Sequence, residues 1–324
     1  MKQLLFIAKS ESSPSTRYRA LQFFSRWESA GFMPSHITAT GGVRAMTTIL
    51  AKARNADAVI VLRKTFPRPF LYLLRRLSRK LIFDFDDAIF CKTDGSASKT
   101  RMPRFKAMIR SCDQVFAGNS YLAEMAANFN PAVTIVPTAI DLSRYAPGST
   151  KPQEFFDLVW IGSRSTRKYL MEALPYLRMA AGAVPRLRLK IIADFDIPNA
   201  GIPTLAIPWS ATSEAAELAS AHVGIAPMSD DAWSRGKCAL KVLQYMASGL
   251  PVVSSASGAN AEIIHEGKTG FLVTTPESWA ERIKQLSVDP VLCEQLGQAG
   301  RQRVIKEFSI DNAFELMCER LRNY

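Results

Sequence analysis

Apolar runs of strand length alternate with amphipathic helical stretches along the whole chain, and the alternation restarts halfway. Strands are expected at 3–9, 57–62, 80–86, 114–118 and 133–137, and helices at 17–30, 41–54, 68–79, 102–111 and 120–129. A polar stretch at 141–154, with two prolines and a glycine, ends this half. The second half reads as strand 157–162, helix 167–183, strands 187–193 and 205–208, helix 212–221 and strand 223–227. Amphipathic helices at 290–308 and 309–324 close the chain. Strands spaced by helices in this way build parallel sheets covered on both faces. The expected class is α/β, with two doubly wound, Rossmann-like domains at 1–145 and 146–308. Ligands of such sheets bind beyond the carboxyl ends of the strands, here expected in a cleft between the domains.

A hydrophobic content of 48% over 324 residues suits two sizeable cores. No apolar run reaches the roughly 18–20 residues of a membrane span. The six-residue apolar run near the N-terminus is too short for a secretory signal and reads as the first strand. Five cysteines (91, 112, 238, 293, 318) are scattered without CxxC or Cys/His metal spacing. They read as reduced thiols of a cytoplasmic protein with no bound metal. Charge is uneven: residues 1–150 hold 22 Lys and Arg against 10 Asp and Glu, and the remainder holds 19 of each. Such a field attracts anionic partners. Residues 66–81 interleave Phe70, Leu73, Leu74, Leu77 and Leu81 with Arg68, Arg75, Arg76, Arg79 and Lys80. That pattern suits a helix lying on the inner face of an anionic membrane, or one packed on a sheet with solvated arginines. No recognition motif supports nucleic-acid binding.

The densest chemistry lies at 233–273, WSRGKCALKVLQYMASGLPVVSSASGANAEIIHEGKTGFLV. Lys237, Lys241, Gln244 and Ser248 fall at i, i+4, i+7 and i+11, one face of an expected helix whose buried side is Leu240, Leu243, Met246 and Ala247. Gly249-Leu250-Pro251 stops that helix before a buried strand. Two lysines on its first turns, behind Arg235-Gly236, suit a diphosphate at a helix N-terminus. The run Lys-x-x-Gln-Tyr-Met-Ala-x-Gly-x-Pro-Val-Val, followed by Gly258, Glu262 and Gly267-x-x-Gly270-Phe-Leu-Val, resembles the donor-binding core of family 4 glycosyltransferases. The resemblance is strongest over 156–273 and diffuse over 1–145. It implies the GT-B fold, a nucleoside diphosphate sugar donor and transfer with retention of configuration. It also implies that the final helix, 309–324, crosses back to the first domain.

Further donor contacts are expected in the second half. Gly162 permits close backbone approach after the first strand, and Ser163 to Lys168 open a helix that could hold phosphate oxygens or simply be capped by Ser165 or Thr166. In the family an arginine follows the strand and a lysine enters the helix. Lys168 matches the lysine, whereas Ser163 stands at the arginine, leaving Arg164 or Arg235 to substitute. The family's Glu-x7-Glu pair corresponds to Gly236 and Gln244; Gln244 can still bond ribose hydroxyls, but Gly236 cannot act as a carboxylate. Trp209 either stacks on the base or packs. Glu262 either bonds donor hydroxyls or caps a short helix.

In the first half, Asp84, Asp86 and Asp87 end a buried strand, a position where clustered carboxylates suggest function. Alternation directs Asp84 and Asp86 to one face. Family 4 enzymes often have His-Asp here, which implies Asp86 or Asp87 as the group orienting the acceptor hydroxyl. The same Asp-x-Asp resembles the first motif of haloacid-dehalogenase phosphohydrolases, with Asp84 as nucleophile. Ser15, Arg17 and Arg19 in the loop at 10–19, and Asn119 after a strand, are acceptor-side candidates. The expected activity is transfer of a sugar from a UDP- or GDP-sugar, with no other cofactor, to a glycan or lipid-linked acceptor. The alternative is a non-catalytic relative that binds sugar nucleotide or glycan.

Overall fold

The computed structural model describes residues 1–11, 13–40, 42–148 and 150–322. Ser12 of the first loop, Gly41 at the head of the helix expected from 41, Ser149 of the polar stretch and the last two positions of the helix expected over 309–324 lie outside them. The chain divides into two compact units.

The first unit contains strands β1 (Lys2–Ala8), β2 (Phe32–Thr38), β3 (Ala58–Leu62), β4 (Leu81–Phe85), β5 (Gln114–Ala117) and β6 (Val133–Ile135). They form one parallel sheet in the order β2-β1-β3-β4-β5-β6. Helices α1 (Pro14–Arg19) and α2 (Phe24–Ser29), joined by a 3-10 turn at Leu21–Phe23, replace the single helix expected over 17–30. Next come α3 (Gly42–Asn55), α4 (Arg68–Leu77), α5 (Arg101–Ser111) and α6 (Ser120–Ala127). Buried residues of α3 to α6 share one core with Ile7, Val61, Phe83 and Val115 of the sheet. Trp27 of α2 packs on the opposite face with Phe6, Ile60 and Phe116. Strand β2 was not expected, because Pro34 and half-buried polar residues interrupt its pattern. It is an edge strand, where a proline is tolerated.

The second unit contains β7 (Phe156–Ile161), β8 (Leu187–Ala193), β9 (Thr204–Pro208), β10 (Val223–Ala226), β11 (Val252–Ser255) and β12 (Phe271–Val273), a parallel sheet in the order β12-β11-β10-β7-β8-β9. Its helices are α7 (Arg167–Ala183) and α8 (Glu214–Ala219) and, after a departure of the chain, those from 240 onward. The departure is Asp231–Cys238, which carries the short helix α9 (Ala232–Arg235) and belongs to the first unit. Helices α10 (Leu240–Ala247), α11 (Gly258–Ile263), α12 (Pro276–Val288) and α13 (Pro290–Glu307) complete the second unit. From Ile310 the chain rejoins the first unit as α14 (Ile310–Arg322), whose Phe314 packs edge-on against Trp27 at 4.7 Å.

Each sheet has one point where consecutive connections run in opposite directions. It falls between β1 and β3 in the first sheet and between β7 and β10 in the second. At such switch points the connections on either side diverge and leave a crevice beyond the strand ends.

Candidate functional sites

In the first unit, the carboxylates at the end of β4 meet α1. Arg19 donates to both oxygens of Asp84, at 2.8 and 2.9 Å, and to the Val136 carbonyl at 2.6 Å. Ser15, one turn earlier on the same helix face, donates to Asp86 at 3.1 Å. Residues four apart on α1 thus engage Asp84 on β4 and Asp86 just beyond it. Burial pushes the Asp84 carboxyl upward, and the Arg19 charge opposes it. With both oxygens held and 1% exposure, Asp84 is no nucleophile, which removes the phosphohydrolase reading. Arg19, 3% exposed and fully engaged, is a structural cation and not the acceptor contact expected from sequence.

Arg63, just beyond β3, was not anticipated. Its guanidinium bonds Ser15 and Asp87 and lies 3.2 Å from Asp86. Burial works against its charge, but Asp86 and Asp87 outweigh burial and raise its pKa. Its backbone is left-handed, φ 51°, a strained choice for a long side chain. A basic residue following a strand at the sheet's carboxyl end was the available signal.

Asp87 also accepts from Lys237 at 2.7 Å. This corrects the expectation that Lys237 and Lys241 share a helix face. Lys237 precedes α10, which begins at Leu240 after left-handed Ala239, and it belongs to the first unit. Segment Asp231–Cys238 sits tightly there. A Cβ on Gly236 would come within 2.5 Å of Ala88, and one on Gly118 within 2.4 Å of the Cys238 sulfur. Burial, followed by the Asp86 charge, raises the Cys238 thiol well above its ordinary range. Asn119 caps α6 through Leu122 N–H, and its amide donates to the Arg235 and Lys237 carbonyls, both at 3.0 Å. It is a clamp on this segment, not an acceptor contact. The Arg235 side chain is exposed, and the Arg17 guanidinium lies 4.8 Å from the Tyr18 ring centroid.

In the second unit, Tyr245 of α10 lies at the switch point. Its hydroxyl accepts from Ile161 N–H at 3.0 Å on β7 and donates to the Ile225 carbonyl at 3.1 Å on β10. Gly224 makes room, since a Cβ there would meet the Tyr245 ring at 2.3 Å. One turn earlier, Lys241 holds its ammonium 4.5 Å from the centroid of buried Trp160. Gly162 is required by that indole: a Cβ would lie 2.3 Å from Trp160 and 2.8 Å from Thr166. Lys168, in the first turn of α7, is exposed and lies over Tyr169 at 4.7 Å. Arg164 is exposed and pairs with Asp194 at 3.1 Å.

Gln244 is 3% exposed and donates to the Tyr145 hydroxyl at 3.1 Å. That hydroxyl donates to Glu214 at 2.5 Å, and the other Glu214 oxygen receives the Trp209 indole N–H at 2.6 Å. Gln244 is thereby committed to a buried network rather than presented to a ribose. Trp209 remains 43% exposed, with its ring fixed from below by buried Glu214. Glu262 is exposed in the last turn of α11, so it does not cap that helix's start.

Residues 158–289 match the family described as Glycosyl transferases group 1. EpsD of Bacillus subtilis (strain 168) is 37% identical over 82 residues, which cover 25% of this chain and 21% of EpsD. The chain therefore spans well under two thirds of the curated relatives it matches. Sucrose-phosphate synthase from Thermosynechococcus elongatus superposes with a TM-score of 0.76 at 15% identity, covering 100% of this chain and 99% of that one. Anabaena Alr3699/HepE in complex with UDP and glucose gives 0.75 at 13%, covering 100% of both chains. At these identities the structures speak for the fold, and the fold is GT-B.

Proposed function

We propose that this chain is a nucleotide-sugar-dependent glycosyltransferase that acts with retention of configuration. The observation that carries the reading is the β7/β10 switch point. Within the group 1 domain it gathers the Gly162 loop and Lys241 at the start of α10. A helix N-terminus with a lysine on its first turn suits a diphosphate leaving group. Lys241 and Lys168 would stabilise the charge that develops as the sugar departs, an electrostatic contribution that needs no other cofactor. The exposed face of Trp209, anchored through Glu214, suits a nucleobase. Lys237 leaves this set because Asp87 is its counter-ion.

In the first unit, Asp86 and Asp87 are the groups proposed to orient the acceptor hydroxyl of a glycan or lipid-linked acceptor. The complex of the Anabaena relative makes UDP-glucose the first donor to try, with GDP-sugars next. A thermal-shift series with UDP-, GDP-, ADP- and CMP-sugars, on wild type and Lys241→Ala, tests the donor site. A shift with one donor that the variant loses supports the reading; no shift with any donor on folded protein rejects it. Anomeric NMR of the product tests retention.

A second reading is favoured by Gly236. No side chain fits beside Ala88, so the first family carboxylate cannot be supplied there. A non-catalytic relative would bind donor and neither hydrolyse nor transfer it.

Peripheral contact with the inner face of an anionic membrane is part of the proposal. Helices α3, α4 and α5 carry Arg or Lys at ten positions and no Asp or Glu. Tyr72 and Leu73 of α4 are 65% and 47% exposed between Arg68 and Arg76. Among the described residues no helix is long and apolar enough to cross a membrane.

A further inference from the structure

The switch point of the first sheet carries positive charge that the carboxylate cluster does not neutralise. The chain leaves β1 through Lys9 and leaves β3 through Arg63 and Lys64, and these strands are neighbours in parallel register, Ile7 opposite Val61. Arg63 and Lys64 are consecutive cations, and the backbone of Arg63 is left-handed. Arg63 engages Ser15, Asp86 and Asp87, whereas Lys64 donates to the Ala39 carbonyl just past β2. The three aspartates of 84–87 are matched by Arg19, Arg63 and Lys237. Among the described residues no carboxylate pairs with Lys9 or Lys64. The acid of the same loop, Glu11, is 72% exposed and lies 3.9 Å from His36. Burial, and then the neighbouring Lys9 charge, lower the Lys64 pKa. Lys9 and Lys64 thus leave neighbouring strands without a carboxylate partner among the described residues, and a bound anion would supply the missing counter-charge.

We propose that the first unit holds a phosphate or diphosphate group at its β1/β3 switch point, with Lys9 and Lys64 as its counter-charges, so that the acceptor is a phosphorylated one. The acceptor role of this ligand rests on the glycosyltransferase reading; the anion site does not. Compact lysine charges suit phosphate oxygens, and a switch point is where a doubly wound sheet receives such ligands. The group could be borne by a soluble molecule or by a lipid.

Acetylation of individual lysines, resolved by mass spectrometry on the full chain, tests this. The probes are inorganic pyrophosphate and farnesyl diphosphate, each with and without saturating UDP. Pyrophosphate is expected to slow labelling of Lys9 and Lys64 by roughly fivefold or more, and UDP should leave that protection in place. In Lys9→Ala, which should keep the wild-type circular dichroism spectrum, protection of Lys64 should fall. Protection by farnesyl diphosphate at much lower concentration assigns the anion to a lipid, and equal protection assigns it to a soluble acceptor. Lys9 and Lys64 unchanged while Lys168 and Lys241 are protected would overturn the inference and leave the donor site standing. Uniform slowing of all exposed lysines would also overturn it. Protection of Lys9 and Lys64 with no effect of UDP anywhere would keep this site and remove the donor reading.

Discussion

Arg19 and Asp84 face each other through two parallel hydrogen bonds of 2.8 and 2.9 Å, their side chains 2% and 1% exposed. The pair joins α1 to the end of β4 and sets the helix face from which Ser15 reaches Asp86. Removing one partner leaves the other charge buried and uncompensated. Arg19→Met is therefore expected to cost about 3–5 kcal/mol of stability in urea unfolding. Replacing both partners by apolar residues of similar size should recover much of that loss. A single variant as stable as wild type would refute the role.

Asp87 is the carboxylate tied both to Arg63 and to Lys237. Asp87→Asn keeps the shape and removes the charge. Sugar transfer should fall by about a hundredfold or more if Asp87 orients the acceptor. The donor-induced thermal shift, which depends on the second unit, should not change. Wild-type transfer by this variant would exclude Asp87 from the reaction.

Gly162 is fixed by Trp160. Gly162→Ala should destabilise the chain by about 1–3 kcal/mol, because the indole and Thr166 must both move. Differential scanning calorimetry should register it as a lower Tm without any ligand present, which separates packing from phosphate binding.

Lys80 donates to the Arg320 carbonyl of α14 at 2.5 Å, and burial lowers its pKa from 10.5 to about 8. The folded state thus releases this proton before the unfolded chain does. Between those two values the unfolded chain binds more protons, so the Lys80 contribution to stability rises with pH there. The stability of wild type relative to Lys80→Met should improve as the pH is raised from about 7.5 to about 10. A difference that does not vary with pH would contradict the assignment.

The acid-free layer of α3 to α5 should bind vesicles containing phosphatidylglycerol and not those of phosphatidylcholine alone. Salt should release it, because each exposed cation near an anionic surface contributes about 1 kcal/mol and is screened within a Debye length. Tyr72→Ser with Leu73→Ser should weaken sedimentation with vesicles further. Equal recovery with neutral vesicles would remove the membrane from the proposal.

Period and composition determined much of this protein. The alternation of buried strand runs with helical stretches dictated two parallel sheets, since only βαβ units bury such strands on both faces. Gly249-Leu250-Pro251 ended α10 as local backbone chemistry requires. The charge bias was equally legible, because it is a sum over residues that needs no contact. Partner choice was not. Lys237 and Lys241 look alike at i and i+4, yet left-handed Ala239 ends that relationship and Asp87, 150 positions away, takes Lys237. Gln244 has the chemistry to bind a ribose, but Tyr145 and Glu214 enclose it. Arg63 carried no motif at all and gained its role from where β3 ends beside β4. Helical and strand periods are local energies, and sequence carries them directly. The identity of a side chain's counter-charge depends on distances across the sheet, and those exist only once the tertiary structure has closed.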